Sequence, residues 1–436
     1  MIFRQFVDED LGCASYIVGD ESSGEAVVVD PAYSIEQYLA QAERDGVAIV
    51  AVLETHTHAD HVSGHGRFAL EHGVPVAIHS LAEPDYPFEP LADGDVVEVG
   101  SVAVRVLHTP GHRPEHCSFL VDDELLLTGD SLFVGDAARP DLAVDARTGA
   151  EALFHSLERM AALGDDVNVY PGHVAGSLCG GNMSGERHSS IRRERAANPS
   201  LAFDDVQEFV LVAAAVKTPR PPTTERVVAL NRGPWVERPD EPSEVAAPGE
   251  ATILDVRPFA DYAAGHVPGS ISVPVSGSSF ATKAGFVLLP EEPVVLLAAS
   301  REEALEAAHG LWKVGLLALE GYLLHGELSQ SLPTLGADEL LQLDGEEVQV
   351  VDVREASERD EGYLPGSRNI PYRLLRKMGG DALERSKPVV TVCESGPRAA
   401  IAASLLQRDG FDVRAVSPGG IADVAGDTIS FRRCGS

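Results

Sequence analysis

The feature that most constrains the fold is a repeat in the C-terminal half of the chain. Residues 253–274 are ILDVRPFADYAAGHVPGSISVP, and residues 350–371 are VVDVREASERDEGYLPGSRNIP. Both segments begin with a β-branched run ending in DVR and continue through a helical stretch and a PGS turn to a second short strand. Residues 294–316 and 389–411 extend the correspondence with one strand–loop–helix pattern. The repeat predicts two copies of an α/β unit of about 80–100 residues, a normal domain size.

The N-terminal half of the chain also has α/β patterning. Strand-like runs such as SYIVGD, EAVVVD and AIVAVLET alternate with helical stretches such as Ile35–Asp45. Residues 238–250, RPDEPSEVAAPGE, are polar and rich in proline, which is typical of a linker. We therefore predict three α/β domains, which comprise residues 1–238, 239–332 and 333–436.

Composition restricts the partners and the location of the protein. The 34 basic and 68 acidic residues give a net charge of −34, which repels nucleic acids and anionic lipids. We therefore expect no nucleic-acid partner. The longest apolar run, Phe209–Val216, is far shorter than the roughly 20 residues that cross a bilayer, so we expect no membrane partner. The segment MIFRQFVDEDLG has no apolar signal core and the five cysteines form no CxxC, which favours a cytoplasmic location.

The strongest chemical signal is the segment Thr55–His61, THTHADH, which follows the strand-like run IVAVLE. Its polar side chains therefore lie at the carboxyl end of a strand, where α/β folds place ligand sites. Imidazoles and carboxylates crowded there are costly to bury without a metal or dense pairing. Further candidates follow apolar runs at glycine-containing turns. The predicted metal-site residues are His56, His58, Asp60, His61, His112, Asp130 and His173.

The series HxHxDH, His, Asp and His resembles the metallo-β-lactamase superfamily, which implies an αββα sandwich with metal at the edge between two sheets. Residues 134–142, VGDAARPDL, and 227–234, VVALNRGP, resemble its persulfide dioxygenase branch. That resemblance implies one Fe(II) per chain, held by His56, His112 and Asp130 in the facial arrangement typical of non-haem iron. The residues that would orient these ligands are His58, Asp60, His61 and His173.

The same residues leave an alternative open. In a glyoxalase II-like thioester hydrolase, the four orienting residues would instead complete a site for two Zn(II) ions. All seven residues are present, so the motif does not distinguish one metal from two. His116, in the segment PEHCSF, is expected near the site without binding the metal, or at the surface.

Other side chains near these motifs are candidates for substrate or thiol chemistry. Arg139 is the best candidate to bind a substrate carboxylate or phosphate, because arginine forms bidentate charge-assisted contacts. Its alternative role is an ion pair with Asp136 or Asp141. Cys179, in the glycine-rich segment GSLCGGNMSG, is a weaker candidate for a reactive thiol. The two cysteines in apolar strand contexts, which we expect in the core, are Cys13 and Cys117.

The second repeat contains a cysteine loop, CESGPR at residues 393–398, between the strand VVTV and the helix AAIAASLLQ. The helix start and Arg398 favour the thiolate of Cys393, and the loop forms a small anion-binding cup. The CxxGxR spacing resembles the rhodanese domain, which implies that Cys393 carries sulfane sulfur as a persulfide. A cysteine-dependent phosphatase is the alternative, although its loop is one residue longer. The first repeat has Ala298 and Glu303 instead, so we expect it to be inactive.

This order of domains closely resembles bacterial fusions of a persulfide dioxygenase with a sulfurtransferase. The resemblance implies that a low-molecular-weight thiol persulfide and O₂ react at the iron to give sulfite, which Cys393 converts to thiosulfate. The inactive repeat offers a surface for a homo-oligomer. The alternatives are a dinuclear zinc thioester hydrolase with an appended rhodanese, and a sulfur-carrier protein without N-terminal activity. The carrier is disfavoured because no ligand is substituted.

Overall fold

The computed structural model describes residues 1–174, 184–215, 219–343 and 345–424. Cys179 lies outside these ranges. Contacts divide the chain into one unit that comprises Met1–Pro239 with Trp312–Gly315, and a second unit that comprises the rest. The division of the second unit at residues 332 and 333, which the repeat predicts, stays a prediction.

The first unit begins with a six-stranded sheet in sequence order. Its first three strands are antiparallel, and from the third strand onwards the neighbours are parallel. The strands are β1 (Ile2–Val7), β2 (Ala14–Asp20), β3 (Glu25–Val29), β4 (Ala48–Leu53), β5 (Val76–His79) and β6 (Glu89–Leu91). The helices between them are α1 (Glu36–Asp45) and α2 (His65–His72).

A second six-stranded sheet follows in the same unit, in the order β14-β13-β10-β9-β8-β7. Its strands and an intervening hairpin are β7 (Val96–Val99), β8 (Val102–His108), β9 (Cys117–Val121), β10 (Leu125–Gly129), β11 (Leu132–Phe133), β12 (Asp136–Ala137), β13 (Asn168–Pro171) and β14 (Ser189–Ser190). The remaining helices of the unit are α3 (Ala146–Ala161), α4 (Ile191–Ala197), α5 (Val206–Ala213) and α6 (Thr224–Arg232).

Both faces of each sheet are apolar, so one face packs against the other sheet and the opposite face packs against helices. In β3, Val27 and Val29 pack into a core with Phe119 of the second sheet, while Val28 packs on the other side with Tyr38 of α1. The outer face of the second sheet packs against α3 and α5 through a separate cluster that includes Leu153. Alternating burial on both faces is expected of a sheet covered on both sides. The predicted αββα sandwich is confirmed.

The second unit contains two parallel sheets, one with the order β16-β15-β17-β18 and one with the order β21-β20-β22-β23-β19. The first four strands of the second sheet match the first sheet, and β19 is an additional edge strand. Their strands are β15 (Thr252–Asp255), β16 (Ile271–Ser272), β17 (Val294–Leu297), β18 (Leu319–Leu323), β19 (Thr334–Leu335), β20 (Gln349–Asp352), β21 (Arg368–Asn369), β22 (Val389–Val392) and β23 (Val413–Val416). The helices are α7 (Phe259–Ala264), α8 (Phe280–Val287), α9 (Arg301–Lys313), α10 (Ala337–Leu340), α11 (Ala356–Glu361), α12 (Tyr372–Met378), α13 (Pro397–Arg408) and α14 (Ile421–Val424).

The DVR sequence of each repeat has the same structural role. Arg257 forms two hydrogen bonds to the carboxylate of Asp255 and donates a third to a backbone carbonyl at the end of α7. Arg354 repeats this pattern with Asp352 and the carbonyl after α11. The arginine therefore ties the end of a strand to the end of the following helix, and the two copies of an α/β unit predicted from the repeat are confirmed. None of the helices in the described part of the chain is long and apolar enough to be a membrane-span candidate.

We expect the substitution Phe119→Ala to lower the free energy of unfolding by about 3–5 kcal/mol, because it opens a cavity between the two sheets. Leu211→Ala is the matched control, since Leu211 is 63% exposed and its loss should change stability by less than about 0.5 kcal/mol. Denaturant unfolding of the full chain, followed by tryptophan fluorescence, measures both values. Equal losses in the two variants would contradict the packing described for this core.

Candidate metal centre and cysteine loop

The predicted metal-site residues come together at one edge of the two sheets. His56 follows the end of β4, Asp130 follows the last residue of β10, and His173 lies two residues beyond β13. His112 lies in the turn between β8 and β9. Because β10 and β13 are parallel neighbours, their carboxyl ends present Asp130 and His173 side by side. The strand order therefore explains how residues distant in sequence meet.

Three of these residues form a buried triad. The Nε2 atom of His112 lies 3.5 Å from Oδ2 of Asp130, and the Nε2 atom of His56 lies 4.0 Å from the same oxygen. His56 Nε2 and Asp130 Oδ2 are buried without a hydrogen-bond partner. Leaving such polar atoms unsatisfied is costly, and a metal ion between them would satisfy both. The triad therefore fits a metal ion.

The remaining polar atoms of the triad are held by neighbouring groups. His56 Nδ1 lies 2.9 Å from Oγ1 of Thr55, which in turn donates to Asp30. His112 Nδ1 lies 3.0 Å from the carbonyl oxygen of Arg139. These contacts fix both imidazole rings with Nε2 directed at the triad, as supporting groups do around metal ligands.

The electrostatic environment keeps the two histidines neutral and the carboxylate charged. Burial lowers the pKa of His56 well below its usual value, and neighbouring histidines lower it further. Burial also lowers the pKa of His112. Burial alone would raise the pKa of Asp130, but His173 and His112 outweigh it and lower the pKa. Neutral imidazole and ionised carboxylate are the protonation states that bind metal.

His58 does not join the triad in this structure. Its Nε2 atom lies 3.1 Å from Glu54 and 3.3 Å from Asp30, both buried. Burial alone would lower the pKa of His58, but these two carboxylates raise it well above its usual value. The imidazolium is therefore a counter-charge for two buried acids beneath the motif, and its predicted orienting role stays a prediction.

A second group of donors lies beside the triad, and local sequence patterns missed one member of it. Cys13, Asp60, His61 and His173 each place one potential ligand atom within 4.8 Å of the others. Cys13 is buried as expected, yet its thiol contacts polar groups. A β-bridge between Cys13 and His173 creates this contact, and no motif around Cys13 signals it.

His116 and Gly129 also lie against Asp130. His116 is fully buried, and its Nε2 atom accepts a hydrogen bond of 2.9 Å from the backbone N–H of Asp130, so the surface alternative was wrong. Gly129 has a φ of 48°, and a Cβ there would lie 2.7 Å from both Thr55 Oγ1 and His116 Nε2. Only glycine therefore allows the strand to end this close to the two supporting side chains.

Arg139 is nearly buried, and its guanidinium forms two hydrogen bonds, of 2.7 and 2.9 Å, to the carboxylate of Asp141. The ion pair with Asp141 was the alternative expected from the sequence. Because the carbonyl of Arg139 also contacts His112, the residue connects this ion pair to the triad. Its role in substrate binding stays a prediction.

The cysteine loop has the geometry of a thiolate cup. The Sγ atom of Cys393 accepts hydrogen bonds from the backbone N–H groups of Gly396, at 3.1 Å, and Ala399, at 3.4 Å. Gly396 has a φ of 105°, which only glycine adopts readily. Arg398 forms a bidentate pair with Glu358, at 2.6 and 2.7 Å. Loop N–H groups and the start of α13 thus stabilise negative charge on the sulfur.

The corresponding loop of the first repeat has a different arrangement. Ala298 is fully buried at the position of the cysteine. The carboxylate of Glu303 accepts a hydrogen bond of 2.5 Å from the N–H of Ala299. The negatively charged Glu303 side chain therefore already accepts the N–H of Ala299, which disfavours a thiolate or a bound anion in this loop.

Family models match both halves of the chain. The model of the metallo-beta-lactamase superfamily matches residues 8–173, and the rhodanese-like domain model matches residues 239–329 and 336–426. The mitochondrial persulfide dioxygenase ETHE1 of Bos taurus is 30% identical over 245 residues, which are 55% of this chain and 91% of the relative. The Homo sapiens protein of the same name is also 30% identical, over 246 residues, with the same coverage.

A solved structure adds to this comparison. A metallo-beta-lactamase from Staphylococcus aureus subsp. aureus COL is 28% identical and aligns with a TM-score of 0.69, over 74% of this chain and 98% of that chain. The match therefore extends beyond the first unit. This chain belongs to the metallo-β-lactamase superfamily, among the relatives of persulfide dioxygenase, and it carries two rhodanese-like domains in its C-terminal region.

Proposed function

We propose that this protein is an Fe(II)-dependent persulfide dioxygenase coupled to a sulfurtransferase. In the first reaction, a low-molecular-weight thiol persulfide, RSSH, combines with O₂ and water to give the thiol RSH and sulfite. The electrons that O₂ accepts come from the terminal sulfur of the persulfide. The persulfide dioxygenase relatives and the two rhodanese-like domains support this proposal.

The observation that carries the proposal is the pair of unsatisfied donor atoms in the buried triad. His56 Nε2 and Asp130 Oδ2 face each other beside His112, while the opposite atoms of the rings are held by the chain. Two histidines and one carboxylate are typical of non-haem Fe(II) sites that keep positions open for O₂ and substrate. Iron bound there would supply the redox chemistry by which O₂ oxidises the terminal sulfur.

The residues around the triad would control substrate and water. All three donors are almost completely buried, so the site excludes bulk water that would compete for the open positions. We propose Arg139 as the group that binds the carboxylate or phosphate of the thiol carrier. An anionic substrate would have to share the guanidinium with Asp141, which now accepts two of its hydrogen bonds.

The second reaction takes place on Cys393. Its thiolate attacks the terminal sulfur of a second RSSH, the S–S bond breaks, and RSH leaves after it takes up a proton. Sulfite then attacks the outer sulfur of the Cys393 persulfide, which gives thiosulfate and returns the cysteine thiolate. The N–H groups of Gly396 and Ala399 stabilise the sulfur at both stages. Glu358 fixes the orientation of the Arg398 guanidinium through two hydrogen bonds.

The alternative, a dinuclear zinc thioester hydrolase, requires His58 to join His56 and His112 around one ion. The ion pair of His58 with Glu54 and Asp30 disfavours that arrangement. The described cysteines are all free thiols, in keeping with the reducing cytoplasm in which we propose the enzyme works.

We expect His112→Ala to lose most of its iron and at least about a hundredfold of persulfide-dependent O₂ uptake, because one of three donors is removed. The protein would be purified without oxygen, its metals counted, and its O₂ uptake followed with an oxygen electrode after persulfide is added. His155→Ala is the matched control, since the His155 side chain is 61% exposed. Two zinc ions per chain with no O₂ uptake in the wild type would contradict the dioxygenase and favour the hydrolase.

We expect Cys393→Ala to release sulfite where the wild type releases thiosulfate, with O₂ uptake retained, because only the acceptor of sulfane sulfur is lost. Chromatographic quantification of both anions measures the shift, with a blank that lacks enzyme to subtract the uncatalysed reaction of sulfite with persulfide. Cys117→Ala, which removes another buried thiol, should leave the product ratio unchanged. Unchanged thiosulfate formation in Cys393→Ala would contradict the assigned role.

We expect Ala298→Cys to leave the first repeat inactive when it is introduced into the Cys393→Ala protein. The Glu303 carboxylate that binds Ala299 N–H would repel a thiolate at residue 298, and Glu303 stands where the second loop has Arg398. A sulfurtransferase assay with thiosulfate and cyanide measures any recovered activity. Recovery to more than a small fraction of the wild-type rate would show that the first loop differs only by its missing cysteine.

A further inference from the structure

The side chains around the cysteine loop of the second repeat carry balanced charges. Four arginines lie in the loop itself, in DVR, or in α11 and α12 beside the loop, and each forms an ion pair with a carboxylate. The pairs are Arg354 with Asp352 and Glu394, Arg359 with Asp352, Arg373 with Glu355, and Arg398 with Glu358. Four guanidinium groups therefore meet four carboxylates, so these side chains add no net positive charge at the loop.

Glu394 is the residue directly after the nucleophile Cys393. Its side chain is 46% exposed, and one carboxylate oxygen accepts a hydrogen bond of 2.9 Å from the buried side chain of Arg354. Arg354 also donates two hydrogen bonds to Asp352, so two carboxylates share one guanidinium group. Because consecutive Cα atoms lie about 3.8 Å apart, the charge of Glu394 stays close to any group that reaches the sulfur.

We propose that Glu394 is a specificity-determining residue of the cysteine loop. Its carboxylate repels inorganic sulfur dianions, so that Cys393 takes its sulfur from an organic persulfide and not from thiosulfate. This inference rests on the proposed sulfurtransferase reaction and adds to it the class of sulfur donor that the loop accepts. The partly exposed position of Glu394 beside the nucleophile, and the pairing of the neighbouring arginines, carry the inference.

Glu394 and the N–H groups of the loop act on different parts of the reaction. The N–H groups of Gly396 and Ala399 lie against the sulfur and stabilise the thiolate through direct hydrogen bonds. A carboxylate on the neighbouring residue acts through Coulomb repulsion, which extends further and doubles with the charge of the incoming anion. Thiosulfate and sulfite dianions are therefore disfavoured, whereas a persulfide of an uncharged thiol, which carries at most one negative charge, is affected less.

The repulsion selects the donor that loads Cys393. If thiosulfate were the donor, the thiolate would attack its outer sulfur, the S–S bond would break and sulfite would leave. Glu394 disfavours thiosulfate in this reaction as much as it disfavours sulfite in the reverse reaction, so the equilibrium between the two is unchanged. An organic persulfide, which Glu394 affects less, therefore loads the cysteine even where thiosulfate accumulates as the product.

Sulfur transfer to cyanide by the full-length protein, measured without oxygen, compares thiosulfate with 2-mercaptoethanol persulfide as donors. In low salt, Glu394→Gln should raise kcat/KM about fivefold for thiosulfate and at most about twofold for the persulfide, since the amide oxygen can still accept from Arg354. The difference should disappear in 1 M salt, where the Debye length is about 3 Å. The control Glu384→Gln removes an exposed charge beside Gln349, at the opposite end of β20, and should change neither value. Equal changes for both donors, or a difference that persists in 1 M salt, would overturn the proposal.

Alkylation of Cys393 provides a second measurement that does not require sulfur transfer. Iodoacetate is an anion and iodoacetamide is neutral, so the ratio of their rates, followed by mass spectrometry of the Cys393 peptide, reports the potential at the sulfur. Glu394→Gln should raise this ratio about twofold in low salt, and Glu384→Gln should leave it unchanged. An unchanged ratio in Glu394→Gln would overturn the role of Glu394. A wild-type protein that transfers sulfur from neither donor would instead contradict the proposed sulfurtransferase, and the alkylation ratio would still decide the role of Glu394.

Discussion

The buried carboxylate of Asp130 is the constraint on which the metal centre depends. One oxygen accepts the ring of His173, and the other faces His56 and His112 without a hydrogen-bond partner. An ionised carboxylate with no access to water is tolerated only when its surroundings supply compensating charge and donors. The end of β10 provides them, because Gly129 lets the strand approach His116, which accepts the N–H of Asp130. Substitutions around Asp130 should therefore affect stability and metal affinity together.

The two repeats show how one fold separates structural from chemical residues. The arginine of DVR links strand and helix in both copies through the same contacts, so its role is structural in both. The cysteine loop differs, because the N–H groups of Gly396 and Ala399 are directed at the Cys393 sulfur in the second copy, whereas the first copy has Ala298 at that position. In the first copy, Glu303 binds a loop N–H instead. The two copies thus differ at the loop where the second copy has its cysteine.

Much of the fold and the set of metal-site candidates could be predicted from local sequence signals, whereas the choice of three ligands among them came from the family resemblance. Apolar alternation marks the strands, and His56, His112 and Asp130 each follow a strand or a glycine-containing turn. The missed contributions come from long-range pairing. Cys13 was assigned to the core alone, and its contact with His173 arises from a β-bridge between segments 160 residues apart. Asp30 and Thr55, which support His56, were not identified either, since ordinary strand-end residues carry no sign of which side chain they will contact.

Anomalous diffraction from crystals of the wild-type protein, grown without oxygen and measured at the iron and zinc absorption edges, tests the central claim most directly. The account predicts one iron peak within bonding distance of His56 Nε2, His112 Nε2 and Asp130 Oδ2, with His58 remaining beside Glu54. A zinc peak in the triad, with His58 turned to complete its coordination, would contradict the mononuclear iron site and with it the proposed oxidation of persulfides.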